Sequence, residues 1–563
     1  MSIKTESRIG APEVLFGLAT AILLIVVGVP MALIFFNAFW VDGALNVADV
    51  MKVLKSPETF QALGNSLVLA GGVTVTGTLV GTFFAWLVTR TDLPFKKTMK
   101  LMFLVPFMLP AFIGALAWKM LLSPRAGYVN RFWMDTLGFE SPLFDIYSYA
   151  GIILIETMYL FPFVFIQVSG ALERMDPTLE ESARISGADL FTITRKITIP
   201  LIMPSIVSGA LLICLYSMAH FGTVAVLGME VGIYNIPTLI YEKIHQSAGS
   251  WNSIRTATVL SMVLVTTAAI ILWIQNRVLS KGKYQIIAGK SFRPTELRLG
   301  VFRTPMLIFC CVYIFVTIIV PTATIFGVGA LKTYGLPLSL ENMTLHNFEY
   351  ILFEWELTRD SIWNSISLGL ASALVTMFCG VIISYVIVKM KVRGKGFLEF
   401  LGMLPFSVPG SVIALGVILA WSGKLGINIY NTVWIILVAY IARYMAFSLK
   451  ANSAALEQVH DSLVEAARAS GASMGQALRD IVVPLVRPGM VAAFFLIFLP
   501  ALRELTVSVL LYGPNTRTLG VAIYTLNEDG ETVYSAALAA IALIIIVVGE
   551  SLVKRLVTGK TAK

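Results

Sequence analysis

Charge is scarce in this chain. Asp, Glu, Lys and Arg make up 13% of its 563 residues and hydrophobic side chains 57%, with a mean hydropathy of +0.82. A soluble domain carries about 25% charged residues to wet its surface, so a soluble globular protein is excluded and a polytopic membrane protein is expected. Cysteine is scarce too. Cys214, Cys310, Cys311 and Cys379 all fall in apolar runs with no Cys-x-x-Cys pair, which excludes a disulfide framework and a thiolate zinc site and leaves them as packing residues. Only four histidines occur. His245 and His346 stand in loops with no second ligand at a regular spacing, and His460 reads as a solvated surface residue, so no metal site is expected. A phosphate-binding loop is missing as well. Gly289-Lys290-Ser291 resembles the end of one, but the glycine required five positions before Gly289 is Tyr284. The chain is therefore expected to be no enzyme, to hold no cofactor, and to take its energy from another subunit.

What is present is long apolar runs. Twelve windows of roughly 20 residues are long enough to cross a bilayer as helices, near 14–40, 65–89, 101–122, 148–172, 204–228, 254–276, 304–330, 364–388, 397–421, 429–449, 488–512 and 532–553. The first is longer than the apolar core of a signal peptide and is kept as a true span. The net charge of +9 does not point to nucleic acid, because the basic residues flank the spans. With the N-terminus placed inside, 29 of the 42 Lys and Arg fall in inside segments and 9 in outside segments. This asymmetry puts both termini in the cytoplasm.

The chain is also written twice. Asn65-Ser66-Leu67 returns as Asn364-Ser365-Ile366, and Pro106-Phe107-Met108-Leu109-Pro110 as Pro405-Phe406-Ser407-Val408-Pro409, both displaced by 299 positions. Glu181-Ser182-Ala183-Arg184-Ile185-Ser186-Gly187, followed nine residues later by Ile197-Thr198-Ile199-Pro200, returns displaced by 284 as Glu465-Ala466-Ala467-Arg468-Ala469-Ser470-Gly471 and Ile481-Val482-Val483-Pro484. Six spans per half give the repeats one orientation and a pseudo-two-fold axis along the membrane normal. In each copy Glu and small residues open a short helix. Glycine then ends it or lets a partner approach, and Pro200 with Pro204, or Pro484 with Pro488, is expected to mark the entry to the next span. Each copy thus reads as a helix and elbow on the cytoplasmic surface.

These stretches resemble the signature of the permease subunits of binding-protein-dependent ABC importers: Glu-Ala-Ala, three residues, Gly, nine residues, Ile-x-Leu-Pro. Ser182 replaces an Ala, and Ile199 and Val483 replace the Leu. The resemblance covers the whole chain and implies an all-α membrane protein of about twelve transmembrane helices, built as two six-helix parallel repeats of the type I importer permease (MetI-like) fold. It implies a first module over 1–276 with its coupling helix near 178–200, a cytoplasmic linker over 277–303, and a second module over 304–563 with its coupling helix near 462–484. Glu181, Ser182, Ala183, Gly187, Pro200, Glu465, Ala466, Ala467, Gly471 and Pro484 become ATPase-coupling residues. The implied partners are two ATP-binding subunits and an extracytoplasmic solute-binding protein, in a bacterial inner membrane. Within the linker, Gly289-Lys290-Ser291-Phe292-Arg293-Pro294 is similar to the join of fused permeases for iron(III) and of some for 2-aminoethylphosphonate. Leu502-Arg503-Glu504-Leu505-Thr506-Val507-Ser508 is similar to a segment of the iron(III) group. Iron(III) is the expected cargo, with 2-aminoethylphosphonate, thiamine, a polyamine or an oxyanion as alternatives. An ion-driven secondary transporter also has twelve spans in parallel halves, but it would not need the matched cytoplasmic elements.

Ionisable residues inside spans are costly and default to functional candidates. Glu156, His220, Arg443, Arg503 and Glu504 fall there, and the 284-residue displacement lays His220 on Glu504. One reading places these side chains on the translocation path. The other makes them ion pairs between helices, Arg443 and Arg503 neutralising Glu156 and Glu504.

Overall fold

Proline placement decides how the apolar runs fold. The structure is a computed structural model that describes residues 11–41, 43–246, 251–281 and 296–558. Among them, nine helices are long and apolar enough to cross a membrane, and three bent helix pairs raise the count to as many as twelve spans. Counted in chain order these are Glu13–Phe39, Pro57–Arg90, the pair Lys96–Met108 and Ala111–Leu122, the pair Tyr149–Leu160 and Pro162–Arg174, Phe191–Met218, Asn252–Val278, Gly300–Gly329, Glu356–Lys389, the pair Lys395–Ser407 and Gly410–Trp421, Val433–Glu457, Gly475–Leu502 and Thr532–Ser551.

The third and ninth spans turn by 91° and 118°. Each turn comes where a residue preceding proline is pushed out of the helical region: Leu109 before Pro110, with ψ 143°, and Val408 before Pro409, with ψ 128°. The fourth span bends by 41° at Pro162. Its counterpart, the tenth, has Ala446 at the equivalent position and runs unbroken. In four spans proline is instead absorbed. A five-residue π turn ends two residues before Pro30, Pro200, Pro321 and Pro484. The widened turn moves aside the carbonyl that the proline ring would strike.

Close packing inside each half uses small residues, as expected where lipid offers no hydrophobic drive between helices. A Cβ on Gly81 would collide with the backbone at Phe161 and with Val164, and one on the equivalent Gly380 with the Ser448 hydroxyl. Across the halves, the leading spans change places. Gly416 of the ninth span lies against Pro30, Met31 and Ile34 of the first. Tyr313 of the seventh packs on Phe84 of the second, with ring centroids 4.6 Å apart. The two modules divide cleanly in sequence but interlock in space. Leu67, Val75, Leu79, Phe315 and Trp363 are exposed on the outer faces of spans, where acyl chains would cover them.

Beyond the linker's undescribed part, Leu297 exchanges backbone hydrogen bonds with Arg90 and Asp92 at 2.8 and 3.0 Å, and Glu296 pairs with Lys96 at 2.7 Å. The Gly289–Pro294 resemblance lies outside the described residues.

Candidate functional site

The repeated stretches fold alike down to their caps. Thr178–Ile185 and Asp461–Ala469 are short helices. Each ends in a left-handed glycine, Gly187 at φ +84° and Gly471 at φ +92°. The amide of Ala188 donates to the Ala183 carbonyl, and that of Ala472 to the Ala467 carbonyl, both at 3.0 Å. This is the closing bond of a Schellman cap, which only glycine admits without strain. Glu181, Ser182, Glu465 and Ala466 are exposed, and Ala183 and Ala467 half-buried. Apolar side chains stand free beside them: Ile185 is 88% exposed, Leu179 48% and Leu463 45%.

The elbow lies at Gly187 and Gly471, not at the prolines. Pro200 and Pro484 sit inside helices that have already begun at Leu190 and Met474, because the π turns carry the helix through them. For the same reason the fifth and eleventh spans start earlier than the windows 204–228 and 488–512. The π turns near their starts hold Arg195, Lys196, Arg479 and Asp480, too polar for an apolar window yet continuous with the helix.

Each short helix is anchored to the end of a 34-residue span. In the first half Arg90, the last residue of its span, pairs with Glu180 at 3.3 Å, the two side chains 1% and 8% exposed. The Thr198 hydroxyl donates to the same carboxylate oxygen at 2.6 Å. In the second half Lys389 stands 299 positions on from Arg90 and pairs with Asp461 at 2.8 Å. Its donated hydrogen bond holds the Asp461 carboxyl below its ordinary value. Neither anchor was identified from sequence; both residues close runs of helix whose periodicity does not single them out.

The other end of the same two spans grips a second pair of elements. Ser66 Oγ accepts from the Ile236 amide at 3.0 Å, and Ser365 Oγ accepts from the Leu519 amide at 2.7 Å. The Asn65 side chain donates to the Tyr234 carbonyl at 2.8 Å, and that of Asn364 to the Arg517 carbonyl at 3.0 Å. These contacts satisfy the start of helices Ile236–Gln246 and Leu519–Glu528, which explains the duplicated Asn-Ser pair. From Ser66 to Arg90 is roughly 36 Å of rod at 1.5 Å per residue. One rigid span therefore connects each exposed short helix to a capped helix on the far face.

The buried charges lie where the fifth and eleventh spans break. Fully buried Glu156 accepts from the Ser217 hydroxyl and sits 2.8 Å from His220 Nδ1. Glu504 accepts from Tyr444 Oη at 2.8 Å and the Val507 amide at 3.1 Å, and Arg443 Nε lies 3.1 Å away. The expected pairing thus holds for Arg443 with Glu504 but not for Glu156, whose partner is His220. Arg503 is turned away from both acids and donates to the carbonyls of Phe107 and Met108 at the broken third span. Those carbonyls stand beside the proline break, so the guanidinium satisfies them. The two halves use one clamp with acid and base exchanged: acid on the fourth span and base at the break in one, base on the tenth span and acid at the break in the other. A Cβ on Gly410 would strike the Arg443 guanidinium; its absence leaves room for the clamp. Among the described residues no group of three or more His, Cys, Asp or Glu gathers.

Comparison with known proteins adds an independent line. Residues 77–281 and 376–561 match the family described as binding-protein-dependent transport system inner membrane component, and each segment contains one of the short exposed helices. The chain is 29% identical over 529 residues to the ferric transport system permease protein FbpB of Actinobacillus pleuropneumoniae, which spans 92% of this chain and 74% of that one. It is 30% identical over 502 residues to the putative ferric transport system permease protein FbpB 1 of Haemophilus influenzae, spanning 87% and 76%. The putative 2-aminoethylphosphonate transport system permease protein PhnV of Salmonella paratyphi A is 31% identical over 202 residues, 35% of this chain and 76% of that one.

Proposed function

This chain belongs to the family of binding-protein-dependent transport system inner membrane components, and on that premise we propose that it is the membrane permease of an ATP-driven iron(III) importer. The observation that carries the proposal is the pair of equivalent exposed helices, Thr178–Ile185 and Asp461–Ala469, each fixed to the foot of its own span. Two ATP-hydrolysing subunits dock there, one on each, against Leu179, Ile185 and Leu463. Glu181, Ser182, Ala183, Glu465, Ala466 and Ala467 face the docked subunits, and Gly187 and Gly471 set the elbows. The positive-inside asymmetry supports a cytoplasmic position for this face, in the inner membrane of a bacterium. Residues 1–276 and 304–563 act as the two modules and 277–303 as their cytoplasmic join.

When ATP draws the two subunits together, the short helices approach one another. The Pro57–Arg90 and Glu356–Lys389 rods carry that movement to Ile236–Gln246 and Leu519–Glu528 on the far face, where an extracytoplasmic binding protein delivers cargo. The clamps at His220 with Glu156 and at Arg443 with Glu504 stand at the breaks beside the path, and Arg503 holds the third span's break to the eleventh. Iron(III) is favoured over 2-aminoethylphosphonate because the ferric relatives align over most of this chain, whereas the phosphonate relative spans about a third of it. The test is ATP hydrolysis by the assembled complex in the presence of its binding protein. Stimulation by the iron(III)-loaded form supports the assignment. Stimulation by 2-aminoethylphosphonate, with none by iron(III), moves the cargo to the phosphonate.

A further inference from the structure

On the far face, the two halves meet in a cluster of hard oxygen ligands. Tyr241 and Tyr524 stand at equivalent positions, displaced by 283, and so do His245 and Glu528. The pseudo-axis therefore passes among them. The rings of Tyr241 and Tyr524 are 6.0 Å apart, and both phenols donate to one carboxylate: Tyr524 to Glu528 Oε1 at 2.8 Å and Tyr241 to Oε2 at 3.3 Å. Phe221, fully buried, closes the cluster from beneath, its ring 5.2 Å from Tyr241 and 5.8 Å from Tyr524. The tyrosines are buried, but Glu528 and His245 are exposed at the surface. The His245 ring lies 4.2 Å from that of Tyr241, with Nδ1 3.1 Å from the Tyr241 carbonyl. That contact makes Nδ1 the protonated nitrogen and leaves the Nε2 lone pair free for a ligand.

From this placement we propose that Tyr241, Tyr524 and Glu528, assisted by His245, form the site at which the permease first takes up its trivalent cargo. The proposal rests on the iron(III) reading of the cargo. A small, highly charged cation prefers carboxylate and phenolate oxygen. Both phenols and a carboxylate converge between the two halves, and Glu528 and His245 are exposed at the far-face surface. On binding, two phenolic O–H bonds break, their protons leave to water at the mouth, and two oxygen–metal bonds form, with no change of oxidation state. The helices that bear these residues are the ones capped by Ser66 and Ser365, so ATP-driven movement of the rods parts the site and releases the cation inward.

The experiment uses the permease, its ATP-hydrolysing subunits and its binding protein in proteoliposomes, with radiolabelled iron(III) as the probe. The variants are Tyr241→Phe with Tyr524→Phe, which keep the rings and their packing, and Glu528→Gln. Expected is a fall in uptake of roughly tenfold or more, with ATP hydrolysis stimulated by the loaded binding protein as in the unaltered complex. The detergent-purified complex, given iron(III) citrate without binding protein, should also develop a visible phenolate-to-iron absorption that the double Phe variant lacks. Unchanged uptake in both variants overturns the site, and so does parallel loss of uptake and stimulated hydrolysis, which marks a latch alone. If the unaltered complex imports no iron(III), the cargo assignment fails and the site falls with it; if it imports iron(III) and the variants do so equally, only the site fails.

Discussion

Replacing Arg90 and Lys389 by Met removes the same charge from the same place in the two halves, yet the two changes are expected to act unequally. The Lys389 side chain is 14% exposed, but its partner Asp461 is 71% exposed. Water screens such a pair, and it contributes little. Arg90 and Glu180 are 1% and 8% exposed. Without Arg90, the carboxylate stays buried with the Thr198 hydroxyl as its remaining partner. Stranding one member of a buried pair costs about 3–5 kcal/mol. About 3 kcal/mol is roughly a hundredfold in the equilibrium between docked and released states of the Thr178–Ile185 helix. Adding Glu180→Gln removes the stranded charge and should recover most of the loss. The assay is amide hydrogen exchange over 178–185 and 461–469 in the assembled complex. Arg90→Met should speed exchange in the first helix by roughly a hundredfold, and Lys389→Met should change the second only a few-fold. Equal effects, or a larger one from Lys389→Met, would refute the claim that burial rather than position sets the strength of each anchor.

Other consequences can be checked with the same complex. Gly471→Arg or Glu465→Lys should leave membrane insertion intact and abolish ATP-driven uptake; Gly471 at φ +92° also adds a left-handed penalty of about 1–2 kcal/mol for any side chain. Ser66→Ala and Ser365→Ala each remove a helix cap, costing about 1 kcal/mol, and should lower thermal stability while slowing transport; unchanged transport in both would detach the far-face helices from the mechanism. His220→Ala and Glu504→Gln should lose transport while retaining binding-protein-stimulated ATP hydrolysis, and normal uptake in both would reduce the two clamps to packing.

The two short exposed helices could be read from the chain because their cues are local. Glu465, Ala467 and Gly471 act within one turn and one cap, and duplication at a fixed displacement separates that pattern from chance. The bends at Pro110 and Pro409 were not legible: the apolar windows 101–122 and 397–421 run through both prolines without a change in hydropathy, and the angle depends on what packs beside each. Contacts far apart in sequence were not legible. Arg90 and Glu180 are 90 positions apart, and nothing in the helical run ending at Arg90 points to its partner. The partner of Glu156 is hidden for a similar reason: of the two readings of the buried charges, the ion-pair one offers it Arg443 or Arg503, whereas geometry brings His220. The exchange of leading spans between the halves was also out of reach, because an apolar helix carries no label for the half it packs against. The rule that proline starts helices predicts the span entries at Pro200 and Pro484; the π turns at Thr194–Thr198 and Leu478–Val482 let both sit inside instead.

The central claim, that two matched helices harness ATP hydrolysis to move iron(III) through this chain, meets its most direct test in the energy source of uptake. Proteoliposomes containing the permease with its ATP-hydrolysing subunits, and supplied with the iron(III)-loaded binding protein, should accumulate iron(III) only when ATP reaches the face bearing Thr178–Ile185 and Asp461–Ala469. An uncoupler should leave that accumulation unchanged, and Glu465→Lys should abolish it. Accumulation that persists without ATP, collapses with the uncoupler and survives Glu465→Lys would contradict the account.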